Sequence, residues 1–171
     1  NADAFNGFAA SRERLLNTNL ADYKVLHFAT HGIANKLRPD LSGIVLSRFG
    51  ENGQQQDEFV RLEDIYGMKL KADLVVLSAC ETGVGKELKG EGTMSLNNAF
   101  LQSGSRSVLA SLWKVEDNAT RELMAEFYKG IASGGLTPSD ALRRAQMKLA
   151  SMPQYSSPFY WAAFTLHGDA A

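Results

Sequence analysis

Cys80 is the one cysteine of the chain, and it closes the apolar run LVVLSAC at residues 74–80; His31 and Gly32 close a similar run, VLHFATHG, at 25–32. A thiol and an imidazole brought together make a covalent catalyst. The thiolate attacks, and a histidine, the side-chain type that titrates near neutrality, activates it and protonates the leaving group. Gly32, without a Cβ, lets its backbone N–H come close to a developing oxyanion, with the N–H of Cys80 as a second donor. The two side chains are 80 − 31 = 49 positions apart, so this chemistry requires a fold that sets the ends of two distant runs side by side. Taken singly, each residue has a plain structural reading: cysteine is often a small buried hydrophobe, and a histidine after a strand can cap a turn.

The elements that would position them follow from periodicity and punctuation. Residues 6–16 predict a short helix ending near NTN at 17–19, Tyr23 to Ala29 a strand, and Ile44 to Ser47 a second strand, followed by the polar loop FGENGQQQDE at 49–58. Phe59 and Val60 suggest a brief return strand and Leu62 to Met68 a short helix; Leu74 to Ala79 is apolar throughout, as strands covered on both faces are. Thr93 is placed to cap a helix carrying Met94, Leu96, Phe100 and Leu101, which Gly104 ends, and Ser107 to Leu112 reads as another buried strand. Asn118 to Ala132 is a helix closed by Gly134 and Gly135, and Thr137-Pro138 opens a helix with Leu142, Ala145 and Leu149 inward. Phe159 to Leu166 (FYWAAFTL) predicts a last, aromatic-rich strand. Strands alternating with helices give an α/β sandwich on a mostly parallel sheet in one domain, 1–171. On such a sheet, functional groups gather beyond the carboxyl ends of the strands. If the runs ending at His31 and Cys80 are neighbours, their ends lie about 4.8 Å apart before side chains are added.

Composition narrows the partners. With 44% hydrophobic and 22% charged residues the chain is globular, and a net charge of −1 gives no electrostatic footprint for a nucleic acid or an anionic membrane. No run approaches the 18 or so apolar residues of a membrane span, and NADAFNGFAASRERLL lacks the pattern of a signal peptide, so the expectation is a cytoplasmic protein. A single cysteine excludes an internal disulfide and a cysteine-rich metal cluster. CETGVGKE at 80–87 fails as a phosphate loop at both ends, and GEGTMS at 90–95 lacks the last glycine of a dinucleotide fingerprint. His27, inside its strand, reads as a core histidine held by a hydrogen bond, and His167 has no evident partner in the sequence.

HFATHG at 27–32, LVVLSACETG at 74–83, GEGTMSLNNAFLQSGSRSVLASLWKVED at 90–117 and SPFYWAAFTLHG at 157–168 resemble a CHAT domain, a caspase-like (clan CD) cysteine peptidase module related to separase. The resemblance covers nearly the whole chain. It implies a three-layer α/β/α caspase-like sandwich, with His31 and Cys80 as the dyad and Gly32 as the oxyanion glycine. Separase-like and CHAT peptidases tend to cut after basic residues by means of an acid in the pocket. LWKVED at 112–117 resembles the segment supplying it, which makes Asp117 the candidate and Glu116 the second; Asp117 is equally suited to capping the following helix. Family members generally carry further strands and helices ahead of the part corresponding to residue 6, often preceded by helical repeats. The expectation is therefore the C-terminal portion of the domain, with an open strand edge and a missing N-terminal segment or regulatory repeat domain as partner.

These observations converge on a cysteine endopeptidase acting on protein or peptide substrates, with no metal or cofactor required, no nucleic acid and no membrane as partner. The alternatives are an idle caspase-like scaffold that binds a partner and, further off, a nucleotide-dependent switch.

Overall fold

The computed structural model describes residues 2–33, 35, 38, 41–78, 91–133 and 135–169 of the 171, with backbone alone for 91–95. In chain order the elements are a 3-10 turn at Gly7–Ala9, α1 (Arg12–Asn17), a 3-10 turn at Leu20–Asp22, β1 (Val25–Phe28), β2 (Gly32–Ile33), β3 (Gly43–Val45), β4 (Phe59–Arg61) and α2 (Leu62–Gly67). There follow β5 (Leu74–Leu77), α3 (Glu91–Gln102), β6 (Ser107–Ser111), α4 (Asp117–Ala132), α5 (Pro138–Ala150), a 3-10 turn at Pro153–Tyr155, α6 (Pro158–Trp161) and β7 (Phe164–Gly168).

The central sheet has the order β1-β5-β6-β7. β1, β5 and β6 are parallel, with Phe28 opposite Leu77 and Leu77 opposite Ala110, and β7 closes the far side antiparallel to β6. Every residue of β5 and β6 is buried, because helices cover both faces and the usual alternation disappears. Side chains alternate between two cores. Leu26, Val75, Leu77, Val108 and Ala110 pack with Ile65 of α2 and with Leu96 and Phe100 of α3. Leu74, Val76, Leu109 and Phe164 pack with Leu123 and Phe127 of α4 and with Ala145 and Leu149 of α5. The result is the three-layer α/β/α sandwich expected of a caspase-like chain.

Local signals set the helix ends. Thr137 accepts a hydrogen bond from the Asp140 amide at 3.2 Å, and Pro138 opens α5, the pairing its sequence announced. Gly104 has φ +109°, and a Cβ there would fall on the Leu70 carbonyl oxygen, so the turn from α3 to β6 requires glycine.

Two expectations are corrected. α3 begins at Glu91, which puts Thr93 inside the helix rather than at its cap. FYWAAFTL is not one strand: Ser157 caps and Pro158 opens the short helix α6, and pairing with β6 starts only at Phe164. The Ser-Pro start signature overrides the β-propensity of the aromatic residues. The strands near 44 and 59, the second a brief return strand as read, form with β2 a separate antiparallel sheet, order β2-β3-β4.

Candidate functional site

The parallel strands β1, β5 and β6 end on one rim. The Ser78 amide donates to the Phe28 carbonyl at 3.2 Å, which carries the β1–β5 ladder one step past β5. From this shared level His31 is three residues beyond Phe28 and Cys80 three residues beyond Leu77. Cys80 itself lies outside the described residues.

His31 is exposed, and its backbone is held by the small sheet: the Val45 amide donates to the His31 carbonyl at 2.8 Å, and the Thr30 hydroxyl donates to the Val45 carbonyl. Gly32 follows at once as the buried first residue of β2, opposite Ile44. The short antiparallel sheet thus braces the segment that carries the imidazole, a role its sequence did not announce. Alternation of inward and outward residues over so few positions is too brief to read.

Asp117 and Glu116 follow β6, the third strand on the rim. Both are exposed. The segment leading to them is pinned by the Leu112 amide, which donates to the Ala163 carbonyl at 2.8 Å, by the Trp113 indole N–H, which donates to the Phe159 carbonyl at 2.9 Å, and by buried Val115. The capping role expected of Asp117 is corrected: Asp117 is the first helical residue of α4, and Glu116 occupies the cap position without a side-chain capping bond. The Glu116 carboxylate instead accepts from the Asn118 side-chain amide at 2.9 Å. Among the described residues, then, His31 and Gly32 follow β1, and Glu116 and Asp117 follow β6 in the segment that leads into α4.

His27 departs from its reading as a core residue. It is exposed on the outer strand β1, yet its Nε2 lies 2.8 Å from Ser78 Oγ and its ring faces that of Tyr128 on α4, with centroids 5.6 Å apart. This crowding on one side of an otherwise exposed residue desolvates the ring and lowers its pKa from the ordinary 6.5. Among the described residues the Tyr128 hydroxyl has no hydrogen-bond partner, and burial raises its pKa. His167 is partnered too, by Thr165 Oγ1 at 3.0 Å from Nε2.

The depressed pKa of His27 has a consequence for stability. Between its folded pKa and 6.5 the unfolded chain binds the proton and the folded chain does not, so stability complete above pH 6.5 is lost as pH falls through the folded value. Urea midpoints are expected to fall on going from about pH 7 to about pH 5, and less steeply in His27→Gln. Equal slopes in both proteins would contradict this.

The chain matches the CHAT domain family over residues 1–169. It belongs to that family. Among curated proteins, this CHAT domain is 30% identical over 192 residues to tetratricopeptide repeat protein 28 of Mus musculus and 30% identical over 193 residues to its Homo sapiens counterpart. Each comparison takes in 95% of this chain and 8% of the relative, so the chain spans about 8% of the length of the curated relatives it matches. Those relatives carry tetratricopeptide repeats by name. Among the described residues, no helix of the CHAT domain is long and apolar enough to cross a membrane.

Proposed function

We propose that this CHAT domain is a cytoplasmic cysteine endopeptidase that cuts protein substrates after a basic residue, under control of repeat segments like those named in its relatives. The observation that carries this reading is the register of β1 and β5: neighbouring parallel strands whose paired last residues, Phe28 and Leu77, each stand three positions before the histidine and the cysteine.

In this mechanism the Cys80 thiolate attacks the scissile carbonyl carbon, forming a C–S bond while the carbonyl electron pair moves to oxygen, where the amides of Gly32 and Cys80 hold it. Collapse breaks the C–N bond, and His31 gives its proton to the departing amine. Neutral His31 then takes a proton from water, whose oxygen attacks the thioester carbonyl; the second collapse releases the acid and restores the thiolate. For the basic side chain, Asp117 is the first choice. It follows the strand next to β5, about 5 Å further along the rim, whereas the Glu116 carboxylate is already engaged by Asn118. An Arg of the substrate would meet Asp117 in a bidentate, charge-assisted pair.

The test is a peptide electrophile with Arg at its reactive position, followed by mass spectrometry. One adduct on Cys80 is expected, absent in Cys80→Ala, lost when the reactive Arg is replaced by Asp, and slowed about tenfold or more in Asp117→Asn, since bonds to charged groups contribute about 1.5–3 kcal/mol. Labelling indifferent to the reactive residue removes the assigned pocket. No adduct at all favours the scaffold reading.

A further inference from the structure

The mechanism leaves one polar contact at the rim unused, between His27 and Ser78. His27 is the next-to-last residue of β1, opposite Val76, and Ser78 directly follows β5. Their 2.8 Å contact lies beside the last main-chain bond of this ladder among the described residues, from the Ser78 amide to the Phe28 carbonyl. In sequence, β1 is followed by Ala29, Thr30 and His31, and Cys80 lies two residues after Ser78. Among the described residues, this side-chain bond and the Ser78–Phe28 main-chain bond are the last ties between the two strands.

Packing does not require it. On this face of the sheet the neighbouring strand residues are Leu74 and Val76, and the helix above presents the ring of Tyr128. An aliphatic side chain would satisfy such a site, and Tyr128 offers His27 a ring while its own hydroxyl stays unpartnered among the described residues. Ser78 is likewise a hydroxyl with only 9% of its surface exposed, at the end of a strand buried throughout. Exposed His27, backed on one side by the Tyr128 ring, and nearly buried Ser78 are satisfied by each other across two strands, which fixes a distance and a register. In a catalytic site, register matters steeply: a misplacement of about 1 Å can cost on the order of a hundredfold in rate.

We propose that His27 and Ser78 form a positioning clamp that sets the relative placement of the two strand ends from which the imidazole of His31 and the thiol of Cys80 depart. The proposal rests on the peptidase reading. His27 touches no reacting atom in it and acts through the strands.

Five proteins test it: wild type, His27→Leu, His27→Gln, Ser78→Ala and the His27→Leu/Ser78→Ala double variant, each on this chain. The probe is the peptide electrophile with a reactive Arg, and the readouts are the maximal inactivation rate constant, the half-saturating concentration and the thermal midpoint. His27→Leu fills the space against Tyr128 and removes the bond, while His27→Gln keeps a hydrogen-bonding group near Ser78. The expected result is a roughly tenfold lower maximal rate in His27→Leu and Ser78→Ala with half-saturation unchanged, as for other groups that orient a reacting ligand from behind. His27→Gln should recover most of the rate. The His27→Leu/Ser78→Ala double variant should be no slower than either single variant, because both remove one bond. A His27→Leu protein that reacts at the wild-type rate, or single losses that multiply in the double variant, overturns the clamp while leaving the peptidase reading intact. A wild-type chain that forms no Cys80 adduct overturns both.

Discussion

His31→Ala is expected to lower kcat for an Arg-terminated fluorogenic peptide amide by about a thousandfold, in the middle of the range for loss of a general acid–base group. The prediction separates chemistry from folding because of how His31 is held. Its main-chain carbonyl accepts the Val45 amide at 2.8 Å, and the Thr30 hydroxyl secures the same stretch on the Val45 carbonyl. Replacing an exposed ring should leave these bonds in place. Surface substitutions stay within about 0.5 kcal/mol, and for a chain of this size each kcal/mol moves the melting temperature by about 2–4 °C, so Tm should change by no more than about 2 °C.

Two further measurements sharpen the result. A small alkylating reagent without a peptide should still modify Cys80 in the His31→Ala protein, because the loss is in proton transfer and not in access to the thiol. Added imidazole should restore part of the peptidase rate in the alanine variant, by entering the space that the ring vacated. Hydrolysis at the wild-type rate in His31→Ala would remove His31 from the mechanism, and a fall in Tm of about ten degrees, far beyond the range for a surface change, would reassign its role to the fold.

The large elements were legible because their signals are redundant. Leu74–Leu77 and Ser107–Ser111 are apolar runs too short for helices, bounded by polar or turn residues, and the buried stripe of α5 shows at Leu142, Ala145 and Leu149 behind an unambiguous Thr-Pro start. The order of the strands was a conditional, and pairing of Val25–Phe28 with Leu74–Leu77 meets it. Less was legible where tertiary contacts decide. Phe159 to Leu166 has strand composition, but Ser157 and Pro158 bend its first half into a helical turn whose Phe159 carbonyl holds Trp113. The brace of Thr30 and His31 on Val45 joins residues fifteen and fourteen apart through a three-stranded sheet in which no strand exceeds three residues. No hydrophobic period can develop over that length. The tie between His27 and Ser78 spans 51 positions, and nothing local marks either residue for the other. Parallel pairing is the link that sequence periodicity does not encode, and the chemistry proposed for this rim depends on it.

Phe100→Ala is expected to destabilise the fold strongly, because its ring joins the helical layer to the rim end of β1. Phe100 has no exposed surface, sits in the core shared by α2, α3 and the sheet, and meets the Phe28 ring at a centroid distance of 5.5 Å. Truncating a buried phenylalanine removes its transfer free energy and leaves a cavity, together about 3–5 kcal/mol. At about 2–4 °C per kcal/mol, Tm should drop by roughly 10 °C. Phe8→Ala supplies the contrast: with 54% of its surface exposed, Phe8 should cost less than about 1 kcal/mol. Urea titrations of both variants with unchanged m-values would locate the difference in the folded state. The loss in Phe100→Ala should also reach the rim, since Phe28, its partner, is the last residue of β1 and accepts the Ser78 amide. Labelling of Cys80 by the Arg electrophile should therefore slow at temperatures where this variant is still fully folded. A Phe100→Ala protein as stable as Phe8→Ala would show that the layer over β1 and β5 is packed by other residues.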